Sequence, residues 1–457
     1  MAPRIVIIGG GSYQWVPKLL IDLANTPSLH DAEIVLEDVD PAPLPRMTAW
    51  VERIAELRGI GLSATATTDQ RRALEGADYV VVSISTGGFA SMRHDLEIPE
   101  RYGIKQSVGD SVGPGGIIRA QRNIPVLVGI ARDMEALCPD AWLLSLTNPM
   151  TALCRAVTRE TPIKTIGLCH ELTMTRFTLS LLLDADFRSM SMEVTGVNHL
   201  PVITALDLDG REGFTAIREL LDDPARASEP LAFDLPDDFG VPHSGPGGRW
   251  TRGDLLANNR LKLELLDRFG VLPAAGDRHL AEFFPGFLTE ASDFGKRWGV
   301  DLTSIEDREK GQAGHIAALE ALIAAPEVSS MPSGELVAPL IDSFVRDHPR
   351  SFPLNLPNAG QCPDLPPDVV VESVCIADAS GVRGRDRAQC PPGLAEHLRR
   401  VSASQELTVE AGLTGNREKV FEAMLADPLA GRIDWDQLQA MTDEMLDATA
   451  AWLPQFA

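Results

Sequence analysis

Cysteine is scarce: six in 457 residues, at Cys138, Cys154, Cys169, Cys362, Cys375 and Cys390. None forms a Cys-x-x-Cys pair, which excludes a disulfide framework, a zinc ribbon and a thioredoxin-type motif. Aromatic residues make up 5% of the chain, and the tyrosines are Tyr13, Tyr79 and Tyr102 alone. Chemistry that needs a tyrosine therefore has few candidates. Basic residues are in deficit, 41 against 65 acidic ones, for a formal net charge of −24. Such a chain makes a poor partner for nucleic acid or for an anionic membrane surface. No unbroken apolar run approaches the ~18 residues of a membrane span. Gly9 to Ser12 interrupt the first apolar stretch too early for a secretory signal core, so a cytoplasmic protein is expected.

The remainder is that of a globular protein, 44% hydrophobic and 23% charged, long enough for two or three domains or one two-lobed enzyme. Residues 4–150 alternate short apolar strands with helical stretches. Ile5 to Ile8, Ile34 to Asp38, Tyr79 to Ile84 and Trp142 to Leu146 read as strands, and Val16 to Ala24 as a helix. Alternation of this kind predicts a Rossmann-type, doubly wound parallel sheet. Further strands are expected at 163–168 and 192–208, the latter polar enough to leave the first sheet. Residues 222–248 are rich in Pro, Asp and Gly and read as a loop or lid. Residues 303–325 and 394–452 read as helices, and 351–392 as a proline-rich stretch with one strand at Val369 to Ile376. No internal repeat is present. The fold expected is α/β, with residues 1–190 as a dinucleotide-binding domain and 191–457 as an α+β domain for substrate, metal and subunit contacts.

Four segments carry chemistry. Gly9-Gly10-Gly11-Ser12 follows a strand and precedes a helix, where glycines let a pyrophosphate approach the backbone. Glu37 and Asp38 end the next strand and suit a ribose 2′-hydroxyl. The third glycine position of that fingerprint holds Gln14, and an ordinary βα turn is the plain alternative. Leu146-Thr147-Asn148-Pro149 ends another strand; an Asn-Pro there is usually a turn, but in lactate and malate dehydrogenases a similar pair lies beside a nicotinamide. Cys169-His170 and Asn198-His199 each follow a strand, so a thiolate and an imidazole could share a divalent ion; a buried cysteine and a structural histidine are the bland reading. Finally, Gly103 to Gly116, with Asp110, Arg119 and Arg122, reads either as a loop closing on a polar ligand or as a flexible surface loop.

The order of these segments resembles glycoside hydrolase family 4, the NAD- and metal-dependent glycosidases. The resemblance rests on Gly9 to Ser12, Thr86-Gly87-Gly88, Asp95 to Pro99, Gly109 to Gly116 and Thr147-Asn148-Pro149. It continues through Cys169-His170-Glu171-Leu172, Gly196-Val197-Asn198-His199, Asp277-Arg278-His279 with Glu282 to Pro285, and Asn355 to Gly360. It spans nearly the whole chain and implies the lactate/malate dehydrogenase-like fold. It implies NAD at Gly9, Gly11, Ser12, Glu37, Asp38, Thr86 and Asn148, and a divalent ion, usually manganese, on Cys169 and His199. The family's reaction oxidises the sugar at C3, deprotonates C2, eliminates the aglycone, adds water and re-reduces C3. Asp254 matches the base in family members that use aspartate. His170, assisted by Glu171 or Asp110, is the expected leaving-group acid. Asn148, Asn198, Arg93, Arg278 and His279 are expected to contact the sugar. The Cys-His pair implies an unphosphorylated or acidic α-glycoside, a uronate or sulfonate, and the arginines 93, 119 and 122 leave room for such an oxyanion. A homodimer or homotetramer is expected. The rival expectations are a 6-phospho-glycosidase of the same family, an NAD-dependent hydroxy-acid dehydrogenase, and a catalytically inert NAD-sensing protein.

Overall fold

Short runs, β-branched in all but Trp142–Ser145, form the parallel strands of the first sheet in the computed structural model, which describes residues 2–231 and 250–457. β1 (Arg4–Ile8), β2 (Glu33–Glu37), β3 (Ser63–Thr67), β4 (Tyr79–Val82), β5 (Trp142–Ser145) and β6 (Lys164–Gly167) run parallel in the order β3-β2-β1-β4-β5-β6. That is the dinucleotide-binding order, with its reversal point between β1 and β4. Period-two alternation sends Ile5 and Ile7 to one face and Val6 and Ile8 to the other. Ile5 and Ile7 pack with Leu19, Leu20 and Leu23 of helix Val16–Ala24 and with Trp50 and Ile54 of helix Leu44–Arg58. Val6 and Ile8 pack with Ile124 and Leu127 of helix Gly113–Leu137 and with Leu153 and Val157 of helix Met150–Glu160. Each fully buried side chain of this kind contributes about 1.5–3 kcal/mol.

A second, antiparallel sheet holds β7 (Met190–Val197), β8 (Leu200–Leu208), β9 (Arg211–Glu212) and β10 (Leu272–Pro273), in the order β10-β8-β7 with β9 on β8. β11 (Arg350–Pro357), β12 (Val370–Asp378) and β13 (Gly381–Gly384) extend the first sheet beyond β6 in antiparallel fashion. The helices Pro392–Thr414, Arg417–Ala426 and Trp435–Ala448 bury Leu398, Phe421 and Met441 in a core shared with Ile117 and Ile118.

Three expectations change. The 351–392 stretch carries β13 and most of β11 besides the strand foreseen; Pro353 and Pro357 lie within β11, which meets β6 only at Asn355↔Gly167. The stretch from Gly103 to Gly116 is not one loop, because its last four residues open helix Gly113–Leu137. Glycines there answer a packing need: a Cβ on Gly116 would stand 2.5 Å from the Ser111 carbonyl carbon, and one on Gly115 would stand 2.7 Å from the Gly109 oxygen. Of the expected 222–248 loop, Pro224–Ala227 is a short helix, and 232–249 lies outside the described residues. Among the described residues no helix is long and apolar enough to cross a membrane.

Candidate active site at the sheet's reversal point

The C-terminal ends of β1, β4, β5 and β6 open onto one edge, where open α/β sheets place ligands. At β1 the Gly9 and Gly10 N–H groups donate to the Glu37 carbonyl at 2.9 and 2.7 Å, and the Gly11 N–H donates to Asp38 Oδ2 at 2.9 Å. Gly9 has φ +84°, and a Cβ there would lie 2.0 Å from the Ser83 oxygen at the end of β4. The turns after β1 and β4 are therefore in contact, which only glycine permits. Ser12 Oγ accepts the Trp15 N–H at 3.4 Å. Burial, then Asp38 and Asp69, pushes the Glu37 carboxyl up to about 7. Thr86 donates its N–H and hydroxyl to Asn123 Oδ1 at 3.2 and 2.8 Å, so it fastens the turn after β4 to helix Gly113–Leu137.

Asp110, His199 and His279 form the centre. One donor atom from each lies within 4.8 Å of the others, and the two imidazole centroids are 3.6 Å apart. His199 is the second residue of the two-residue turn joining β7 and β8, with φ +62°. Ser111 Oγ donates to Asp110 Oδ1 and shares a hydrogen with His199 Nδ1, both at 2.7 Å. With the hydroxyl proton on Asp110, His199 Nδ1 carries the hydrogen and Nε2 keeps its lone pair. Burial, then His279, pushes His199 down to about 3, so it is a neutral imidazole at neutral pH. Burial alone would raise Asp110, but His279, His199 and Arg119 and the Ser111 bond together hold it well below the usual carboxylate range. Burial would likewise raise Glu171; His279, His170 and His199 overcome it and bring the carboxyl to about 2.

The buried atoms His279 Nδ1 and Asn148 Oδ1 have no hydrogen-bond partner among the described residues. Two imidazoles, a carboxylate and buried polar atoms without a partner make a donor set that fits a divalent ion with nitrogen and oxygen ligands. Cys169 is not in that trio. It is buried beside Met150, Cys154 and Val370, and it meets the site through Asn198, which hydrogen-bonds it. Burial, then Glu372 and Glu171, pushes its thiol well up, so a thiolate would form there only with a cation to hold it.

The other expected site residues divide. Asn148 donates to Asp110 Oδ2 at 3.3 Å, and its carbonyl accepts Arg119 Nε–H at 3.0 Å. Asn198 donates to Glu372 Oε2 at 3.1 Å. His170 Nδ1 lies 3.0 Å from Glu335, and its ring is 6.0 Å from Trp15 of the glycine turn. Arg93 faces outward to Glu97, Glu306 and Glu309, a surface ion-pair cluster rather than a sugar contact. Arg122 is fully buried in a two-pronged pair with Asp95 at 2.8 and 2.6 Å. Asp254 closes the first turn of helix Arg252–Ala257: its Oδ2 accepts the Thr251 N–H and hydroxyl, both at 2.9 Å.

Three acids support the site; Glu335 and Glu372 carried no sequence signal, while Glu282 stood in a motif of the resemblance without a role. Glu335 anchors His170 from a loop with no motif. Glu282 Oε1 accepts the Val108 and Gly109 N–H groups at 2.7 and 2.8 Å, which sets the backbone leading into Asp110; burial pushes it up to about 8. Glu372 stands opposite Asn355 across β11 and β12 and receives a bond from it at 3.3 Å; burial pushes it up to about 7.

Residues 4–184 match the model of the family 4 glycosyl hydrolases, and residues 194–430 match that of the same family's C-terminal domain. An α-galacturonidase of Bacillus subtilis (strain 168) is 31% identical over 453 residues, covering 97% of this chain and 96% of its own. An α-galactosidase of the same organism is 29% identical over 467 residues, covering 99% of each chain. Among solved structures, a candidate glucosidase from Bacillus subtilis superposes with a TM-score of 0.85 at 30% identity, over 97% of this chain and 100% of that one. A 6-phospho-α-glucosidase from gut microorganisms, solved with NAD and Mn2+, superposes at 0.81 over the whole of both chains; at 19% identity it is a likeness of fold.

Proposed function

The chain belongs to family 4 of the glycosyl hydrolases, and from that premise we propose that it cleaves small, unphosphorylated α-glycosides of an acidic sugar, a galacturonide first among them, with NAD and a divalent ion. The reading is carried by one juxtaposition: the Asp110–His199–His279 donor set stands at the sheet edge that also holds the glycine turn after β1. Two α-galacturonidases at 30% and 31% identity support the sugar class.

In this reading residues 1–190 carry the nicotinamide cofactor, while residues 191–457 supply His199, His279 and the sugar-facing wall. When bound, NAD supplies reversible hydride exchange and the ion supplies a Lewis acid for sugar oxygens. His199, His279 and Asp110 would hold the ion, and Cys169, linked to the site through Asn198, would supply a thiolate. Asn148, fixed by Asp110 and Arg119, and Asn198, fixed by Glu372, orient sugar hydroxyls. Asp254 takes the proton from C2. His170, with Nδ1 anchored on Glu335, gives a proton to the leaving oxygen.

Two outcomes follow. An α-galacturonide should be cleaved only when NAD is present, and no NADH should accumulate in proportion to product; stoichiometric NADH would assign a dehydrogenase instead. Gly11→Val should weaken NAD binding by at least about tenfold, read by fluorescence titration, because a Cβ there already stands 2.3 Å from Pro43 Cγ and 2.8 Å from Asp38 Oδ2. Unchanged affinity would mean that the cofactor lies elsewhere.

A further inference from the structure

Beside the donor set stand three arginines that form no ion pair among the described residues. Arg119, half-buried on helix Gly113–Leu137, uses Nε on the Asn148 carbonyl; among the described residues its terminal nitrogens have no hydrogen-bond partner. Arg278 donates to the carbonyls of Asp301 and Ser107 and to the Thr303 hydroxyl, all uncharged acceptors. Arg308, half-buried on helix Ile305–Ala324, has no side-chain hydrogen bond and no ion pair among the described residues. By contrast, Arg93 and Arg122 are engaged by Glu97 and Asp95.

The three are one cluster. Arg278 is fastened to Ser107, three residues before Asp110, and to Asp301 and Thr303, just before the helix that carries Arg308. Arg308 acts electrostatically on both Arg119 and Arg278; against it, Asp110 acts on both, Asp95 on Arg119, and Glu282 and Asp301 on Arg278. Arg119 and Arg308 are half-buried while Arg278 is exposed, and like charges gathered in this way favour an anion that joins them. Asp110 cannot serve as that anion while it ligates a divalent ion, which would itself add positive charge.

We propose that Arg119, Arg278 and Arg308 form the wall that reads an oxyanion on the substrate's sugar ring, with Arg308 the specificity-determining side chain. This rests on the glycosidase reading for the position of the sugar and names the class that the site selects: a sugar bearing a carboxylate or another planar or tetrahedral oxyanion. Guanidinium groups recognise such groups through paired N–H donors. The competing anion is a cofactor phosphate, because helix Ile305–Ala324 packs on the helices Leu44–Arg58 and Gly88–Arg101, and the test separates the two.

The test uses the full chain loaded with NAD and manganese. The ratio of kcat/KM for 4-nitrophenyl α-galacturonide to that for the α-galactoside is measured in wild type, Arg308→Gln and Arg308→Lys. The expected result is a preference that falls about 30-fold in Arg308→Gln, mainly through KM, and is largely restored in Arg308→Lys. Calorimetry with galacturonate, galactose 6-phosphate and galactose then shows which oxyanion the wall takes, and NAD titration separates substrate from cofactor. An unchanged preference overturns the proposal, as does a fall in NAD affinity matching the loss of activity. A wild type that cleaves no glycoside but binds galacturonate in an Arg308-dependent way sinks the glycosidase reading and keeps the wall. A wild type that cleaves both glycosides with no Arg308 dependence does the reverse.

Discussion

His279→Ala should abolish turnover by about 10³-fold or more and weaken manganese binding in the same protein. The expectation follows from geometry. His279 places one nitrogen within 4.8 Å of donor atoms on His199 and Asp110, and its Nδ1 is buried with no partner among the described residues. His199→Ala should do the same, and Cys169→Ser should abolish turnover if the thiolate completes the set. Exhaustive chelation should mimic all three, and manganese should rescue the chelated wild type but not the alanine variants. If His279 touched only a sugar hydroxyl, His279→Ala would raise KM and leave manganese affinity where it was. Measuring both quantities on one preparation separates the two roles.

Asp254→Asn should lower kcat by about 10²–10⁴-fold, the range for loss of a general base. The substitution is informative because of the local structure. Asp254 takes the third helical position of a capping box with Thr251, and asparagine's carbonyl oxygen can accept the same two bonds. The helix start is therefore retained while the proton acceptor is lost. NAD affinity should not change. Were Asp254 a cap and nothing more, Asp254→Asn would keep its activity, and only Asp254→Ala would show a defect, a stability loss of about 1 kcal/mol in chemical denaturation.

Most of the parallel sheet was legible because its strands are short apolar runs bounded by turn residues: β1, β4 and β5 fall within two residues of their sequence readings, while the exposed β3, Ser63–Thr67, carried no apolar run to read. The turn after β1 was legible for the same reason, since Gly9 answers a backbone approach that no other residue allows. β11 was not, because Pro353 and Pro357 weigh against a strand in sequence, yet this strand meets β6 at one residue pair and finds its ladder on β12. The start of helix Gly113–Leu137 was hidden by glycines that local propensity reads as loop and that the structure uses for close packing against Ser111 and Gly109. In the site, His199 and Asp110 were visible from motifs. His279 was expected against the sugar, and only the fold brings its ring to 3.6 Å from that of His199. Glu335 acts through His170, more than a hundred residues away, and the amino-acid sequence carries no trace of that. Arg93 shows the opposite case: a charged residue near a motif whose partners are surface acids.

The central claim is that cleavage proceeds through exchange of the sugar's C2 proton, not through direct displacement at the anomeric carbon. Complete turnover of an α-galacturonide by the wild-type protein in heavy water, with NAD and manganese present, tests it in a single product analysis. The account predicts galacturonate carrying deuterium at C2, whatever the aglycone. Galacturonate formed with protium at C2 would contradict it.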